Sequence, residues 1–299
     1  MRDDELSQRA RALASALEPV AGQVYFSPEC HQNYVGLGFS ASPGDANGVA
    51  LPDGPAYFTS RGSVMGQVPG EVVACAFAVF NPAAVVPAVT HGWSLTDAKT
   101  IELARTAGAV AQLTRILGAE PDGVKRAAEL LEQAGSKLRV EGKPLYAGQL
   151  AQEVPSDSLG AAWRFADRLR EYRGDAHTAA WTNDGVDATE IGLVSELYWG
   201  LPTRSYVRTR AWSVDDLDAA EARLESRGWM VDHQLTDAGR AGREAIEVAT
   251  DRQCRPIIDA LGDSFDELLG MLTPWGEQIR AAKGYLGSGP HDLATANRP

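Results

Sequence analysis

An arginine and a histidine stand where a helix should present apolar side chains. Between residues 158 and 182 the apolar positions Leu159, Ala162, Ala166, Leu169, Ala176 and Ala180 recur at helical spacing. Arg173 falls on that line, with His177 one turn further on. If the helix runs through Gly174, the two are i, i+4 neighbours on an inward face. A buried charge without a partner is costly, so Arg173 needs a carboxylate or an anionic ligand. A neighbouring cation disfavours protonation of His177. A neutral imidazole beside a guanidinium suits a general base next to an anion holder. Glu171 and Asp175 flank the pair and could orient the imidazole or neutralise Arg173. The same residues fit an internal ion pair, with His177 satisfying a backbone carbonyl. They also fit a helix break at Arg-Gly-Asp, with Asp175 capping the next helix.

A second group is Glu29, His31 and Tyr34, predicted on a short helix that Ser27 caps and Pro28 opens. His31 and Tyr34 share a face of that helix and Glu29 does not. Arg61 follows Tyr57 and Phe58 in an apolar stretch and is the other candidate anion holder; the alternative is a salt bridge to Glu29. Glu29, His31, Asp175 and His177 have ligand chemistry suited to a metal. Nothing like HExxH is present, and no metal is expected. GxGxxG at a strand-to-helix turn, GxxxxGK[ST] and GxSxG are all absent, so no cofactor is expected either. His91, His233 and His291 read as solvated surface residues. Trp163, Phe165, Trp181, Trp199 and Trp212 fit core packing, or the wall of a pocket for a flat ligand.

These residues need elements to hold them. Periodicity predicts helices over 4–18 (stopped by Pro19), 69–82, 96–117 (capped by Thr96), 121–140, 158–182 and 187–199. Residues 40–55 read as a surface loop and 56–66 as a strand or turn. Ser213, with Asp216 three residues on, caps a helix over 214–227. Trp229-Met230-Val231 is a short strand, Asp232-His233-Gln234 a turn, and Thr236 caps a helix over 237–253. That is the order of a winged helix. Residues 141–157, with two prolines and weak periodicity, mark a boundary between an N-terminal, winged-helix-like domain (1–145) and a C-terminal winged-helix domain (146–299). The tail from 284 reads as frayed.

The 299 residues carry a net charge of −12, with 44% hydrophobic and 23% charged side chains. Residues 1–150 hold 12 basic and 15 acidic side chains; residues 151–299 hold 16 and 25. Nucleic-acid binding draws on Lys and Arg neutralising phosphates, which this balance opposes. The helix at 214–227 holds Asp215, Asp216, Asp218, Glu221 and Glu225 against Arg223 and Arg227. One basic cluster remains, Arg204, Arg208 and Arg210. The sequence therefore predicts against nucleic acid. The charged N-terminus and the lack of a long apolar run predict neither a secretory leader nor a membrane span. Three dispersed cysteines with no CxxC fit a reducing cytoplasm.

The chain resembles an actinobacterial group of two-part helix-turn-helix proteins, loosely MarR-like. The resemblance rests on Tyr25-Phe26-Ser27-Pro28-Glu29, Tyr57-Phe58-Thr59-Ser60-Arg61 with Gly66, and Phe80-Asn81-Pro82. It continues through Gly142-Lys143-Pro144-Leu145-Tyr146 and runs from Leu169-Arg170-Glu171-Tyr172-Arg173 to His177. It ends on Arg223 to Gly228 and on Glu247 to Arg252. Leu235-Thr236 with Gly239-Arg240 matches the segment after the wing in MarR-type proteins. The resemblance implies a fold rather than a reaction. Tyr172, where the group's motif looks more like histidine, counts against a metal.

The expected architecture is mainly α with small β wings, as two winged-helix-like domains packed together. The expected function is cofactor-free acid–base chemistry, a lyase, cyclase or isomerase step of secondary metabolism, in a pocket between the domains. There Arg173, Arg61, Glu29, His31 and Tyr34 hold an anionic small molecule, and His177 moves protons with Asp175 or Glu171. The rivals are a ligand-responsive regulator and a non-catalytic subunit of a biosynthetic complex. A homodimer or a partner enzyme would be the expected protein contact.

Overall fold

Ser27, Asp53, Asn81, Asp97, Asp157, Asp187, Ser213 and Thr236 each stand one residue before a helix and accept a hydrogen bond from its first turn. These caps divide a largely helical chain. The computed structural model describes residues 2–296. It begins with α1 (Asp3–Gly22) and α2 (Pro28–Gly36). The antiparallel pair β1 (Asp45–Ala46) and β2 (Val49–Ala50) follows. Then come α3 (Gly54–Gly62), α4 (Gly70–Phe77), α5 (Pro82–Leu95), α6 (Ala98–Leu117), α7 (Val124–Gly135), α8 (Pro144–Leu150), α9 (Ser158–Asn183) and α10 (Ala188–Tyr198). After them come α11 (Val214–Ser226), the pair β3 (Met230–Val231) and β4 (Gln234–Leu235), α12 (Asp237–Gln253), α13 (Arg255–Leu261), α14 (Phe265–Ala281) and α15 (Pro290–Ala296). The fold is mainly α with small β wings.

The long helix α9 is the axis of the molecule. Its N-terminal half packs against α1, α6 and α7 in the largest core, where Leu13, Leu17, Ile101, Leu113, Leu131 and Trp163 are buried together. Arg105 with Asp167, and Arg164 with Glu102, pair inside that half. A second core is aromatic: Phe58, Phe77 and Phe80 pack with Val73, Val89 and Leu145. A third gathers Leu193, Val194, Leu197, Leu217, Leu224, Met230 and Leu235 and holds α10, α11 and the β3–β4 wing as a unit. Ala180, Trp181, Ile191 and Ile246 fasten the end of α9 to that unit.

Several sequence expectations are corrected. Pro19 lies inside α1 instead of stopping it; it packs against Gly276, where a Cβ would come within 2.7 Å of its ring. Residues 54–62 are helical, because Asp53 caps them and Pro55 fits the first turn. Asp97, not Thr96, caps α6. Gly174 does not break α9, which continues to Asn183. Residues 144–150, read as part of a boundary, form α8 and pack on α9 and on the short turn at 63–65. The tail is not frayed from 284. Tyr285 is buried and donates to Glu18 (2.7 Å), while Asp292 accepts from Ser15 (2.6 Å) and Arg280. Residues 297–299 lie outside the described residues.

Candidate functional site

Because α9 is continuous, Leu169, Arg170, Arg173, Gly174, His177, Thr178 and Trp181 form one stripe along it, and that stripe is the floor of a cavity. The cavity measures about 250 Å³. Its walls come from α1 (Leu17, Glu18), α3 (Arg61), α4 (Phe77), α10 (Ile191, Ser195), α12 (Arg243, Glu247) and α15 (His291). Residues on both sides of position 145 therefore line it. Five arginines (Arg61, Arg170, Arg173, Arg210, Arg243) face three glutamates (Glu18, Glu171, Glu247). With histidines neutral the lining carries a formal excess of two positive charges, inside a chain of net charge −12.

Two of the arginines are fully engaged. Arg61 grips Glu171 with Nε and Nη2 (3.0 and 2.7 Å) and takes its third contact from the Tyr57 hydroxyl oxygen (3.2 Å). Arg170 grips Glu18 in the same two-pronged way (3.0 and 2.9 Å). Burial pushes the Glu171 carboxyl up, but Arg61 and Arg170 outweigh it and hold it down at about 2. Glu171 is thus a fixed counter-charge. The salt bridge from Arg61 to Glu29 does not form; Glu29 pairs with Arg115 instead.

The other three arginines have capacity left. Arg173, 8% exposed, pairs through Nη2 with Glu247 and Asp251, yet its buried Nε has no hydrogen-bond partner among the described residues. Arg243 donates to Ser195 (3.1 Å) and to Glu247 (2.6 Å). Arg210 bonds the Tyr206 hydroxyl and stacks over Phe80 (4.6 Å) and Tyr206 (4.4 Å). It has no carboxylate in ion-pair range among the described residues, and its Nε is buried without a partner. The backbone fixes it there: Asn81 donates to the Arg210 and Ala211 carbonyls (2.9 and 3.1 Å), and Trp212 donates to the Val79 carbonyl (2.9 Å).

His177 sits among these cations. Burial, helped by Arg243 and Arg173, lowers its pKa to about 3 against the opposing pull of Glu247. Its Nδ1 lies 3.1 Å from the Thr250 hydroxyl oxygen. His291, also on the cavity wall, is lowered to about 4 by burial and by Arg173. It is not the surface residue its position in the tail suggests. His91 and His233 are exposed, as expected, although His233 bonds Glu221 (2.8 Å).

Asp175 points away from the cavity and accepts from the Tyr146 backbone N–H (3.0 Å). Burial pushes its carboxyl up to about 7, against that hydrogen bond. The folded chain then holds this proton more tightly than the unfolded chain between the ordinary value of 3.8 and about 7. Stability from this group falls as pH rises through that window. Asp175→Asn should therefore melt at or above the wild-type temperature at pH 8, with a smaller advantage or none at pH 4. Calorimetry at both values checks this; a variant that melts lower at pH 8 would mean the carboxylate charge is needed.

Glu29, His31 and Tyr34 are not brought to the cavity. His31 Nε2 meets the Tyr25 carbonyl (3.0 Å), and Tyr34 is buried in the main core. Of the aromatic candidates, Trp181 and Trp199 line the cavity; Trp163 and Phe165 are core, and Trp212 sits at the edge of the winged unit. Among the described residues no group of three or more His, Cys, Asp or Glu is placed to hold a metal, and no helix is long and apolar enough to cross a membrane.

The winged unit presents an acidic face. A Ser213–Asp216 capping box starts α11, and Asp215, Asp218 and Glu225 are exposed on it. Arg223 is tied back to Asp187 and Glu190, and Arg204 to Asp218 and Glu221. With Arg210 in the cavity, the basic cluster read from sequence is dispersed. The wing is a two-residue turn, Asp232-His233, with both φ angles positive (48° and 59°).

Sequence reasoning did not place Glu18, Arg170, Tyr206, Arg243 or Glu247 at the site, and it assigned Arg210 to a basic surface cluster and His291 to the surface. A signal existed for Arg243 and Glu247: with Asp251 they repeat every four residues on α12, alongside the buried Ile246 and Thr250. That is the polar-on-an-inward-face pattern that singled out Arg173. No curated protein and no solved structure matches the chain. Residues 10–286 match a helix-turn-helix family. With the α10–α11 pair, its wing and a match over most of its length, the chain belongs to that helix-turn-helix family.

Proposed function

We propose that the chain binds a small organic anion in the cavity between α9, α10 and α12, on a MarR-like scaffold whose α11 does not read DNA. The observation that carries this reading is Arg210. It is a guanidinium on the cavity wall, stacked on two aromatic rings and lacking a carboxylate partner among the described residues. Arg173 and Arg243 stand on the same lining. Leu17, Phe77, Val79, Leu169, Trp181, Ile191 and Trp199 supply an apolar surface. A cavity that combines an apolar lining with a few placed polar groups is the usual form of a ligand site. Its volume lies below the ~300–1,000 Å³ of drug-sized ligands, which suits a molecule of one or two rings.

Binding is favoured over acid–base catalysis for a stated reason. A general base works best with a pKa near the operating pH, and His177 is held at about 3. A lyase, cyclase or isomerase role would require the bound substrate to raise it. Regulation through α11 would require basic residues on a face where Asp215, Asp218 and Glu225 are exposed.

Thermal-shift titration tests the reading. Naphthoates and naphthyl phosphate should raise the melting temperature with concentration, and naphthalenemethanol should not. At a hundred times Kd the gain is about 2.7 kcal/mol. Double-stranded DNA at low salt should leave the melting temperature unchanged. Equal shifts from the alcohol and the anions, or none from any of them, would contradict it.

A further inference from the structure

We propose that the cavity selects, among organic anions, those that also carry a hydroxyl or N–H donor, with Nε2 of His177 as the acceptor. The inference rests on the anion-binding reading above and deepens it. Thr250 is buried, and its hydroxyl lies 2.9 Å from the Ile246 carbonyl oxygen as well as 3.1 Å from His177 Nδ1. The carbonyl can only accept, so the single hydroxyl proton goes to it. The hydroxyl oxygen must then accept from Nδ1–H. The opposite assignment would set the hydroxyl and carbonyl lone pairs against each other at 2.9 Å. His177 is thereby fixed as the Nδ1–H tautomer, and Nε2 keeps its lone pair.

That lone pair is free for a ligand, since the hydrogen bond His177 makes is at Nδ1. Nε2 makes no hydrogen bond to a described residue, and it is not among the fully enclosed polar atoms that lack partners. The imidazole lines the cavity. The groups facing it from neighbouring elements are Arg173 on α9, Arg243 with Glu247 on α12, and His291 on α15, which is itself held neutral. These arginines attract the anion and make protonation of Nε2 unfavourable, so the nitrogen stays an acceptor. A site built to accept a hydrogen bond rejects an analogue that lacks the donor, because the site's polar atom is left unpaired.

The test pairs ligands that differ only in the donor. Monohydroxylated 1- and 2-naphthoates are titrated against the two parent naphthoates by calorimetry. The proteins are the wild type, His177→Phe, Thr250→Val and Thr250→Ser. In the wild type at least one hydroxylated isomer should bind about fivefold or more tightly than its parent, the worth of one ordinary hydrogen bond. The gap should close in His177→Phe and in Thr250→Val, with parent affinity held in Thr250→Val, and reopen in Thr250→Ser. Histidine-nitrogen NMR at pH 7 should show His177 as the neutral Nδ1–H tautomer. Parents that bind while every hydroxylated isomer matches its parent would overturn the acceptor role and leave the anion site standing. An Nε2–H tautomer would overturn it as well. Failure of all the naphthoates to bind would remove the anion reading and this inference together.

Discussion

Glu171→Gln should lower the melting temperature by about 10 °C. Removing one partner of a buried ion pair costs roughly 3–5 kcal/mol, because the other charge stays buried, and a chain of this size loses roughly 2–4 °C per kcal/mol. Glu171 is 1% exposed and accepts from Arg61, Arg170 and Tyr25. Among the described residues Arg61 has no second carboxylate to turn to, whereas Arg170 keeps Glu18. The double variant Arg61→Met/Glu171→Gln should recover much of the loss, since it removes both members of the pair. In the wild type the contribution of Glu171 is fully present above its ordinary value of 4.5 and is lost as pH falls toward about 2. Thermal melts of the two variants at pH 7 decide the matter. A single variant within 2–3 °C of the wild type (under about 1 kcal/mol by the same scaling) would show that Arg61 and Glu171 are not a structural pair.

Arg210→Met should behave in the opposite way, weakening anion binding by about 30-fold or more with the melting temperature hardly changed. Truncating one side of a hydrogen-bonded charge pair costs about 2 kcal/mol or more, and every 1.4 kcal/mol is tenfold. Methionine keeps an unbranched apolar stem against Phe80 and Tyr206. No ion pair is lost, and the backbone bonds from Asn81 are untouched. A companion variant closes the cavity without touching a charge. At Gly174 an added Cβ would meet nothing nearer than the Glu171 carboxylate at 3.8 Å. Glycine is also a poor helix residue, so Gly174→Phe should keep the fold and occupy the ligand's space. A melting temperature that falls in Arg210→Met while affinity stays constant would make Arg210 a structural residue.

Most helices were legible because their signals are local. Ser213 with Asp216, Thr236, and the Ser27-Pro28 pair announce helix starts that the structure keeps. The errors fell where tertiary packing overrides a local signal. Pro19 is carried inside α1 against Gly276, and Gly174 is carried through α9 by contacts on either side of it. The core of the site was also legible, since Arg173 and His177 interrupt an apolar line in a way burial alone does not explain. Arg61 and Glu171 were both singled out, yet nothing local says that they bind each other across 110 positions. Arg210 was read only as part of a basic cluster with Arg204 and Arg208, not as a residue of the site. It lies in a short turn without periodicity, and only the folded chain sets it beside Phe80 rather than on the surface with Arg208. Glu29, His31 and Tyr34 carried suitable chemistry on a real helix, but that helix packs on α6, away from the cavity.

Trp181 and Trp199 on the wall of the arginine-lined cavity make binding of an organic anion directly observable. Tryptophan fluorescence should be titrated with 1-naphthoate in the wild type, Arg210→Met and Gly174→Phe under identical conditions. An anion site requires a saturable change in the wild type, a curve displaced about 30-fold or more to higher concentration in Arg210→Met, and no saturation in Gly174→Phe. Superimposable curves in all three proteins, or no saturation in the wild type, would contradict it.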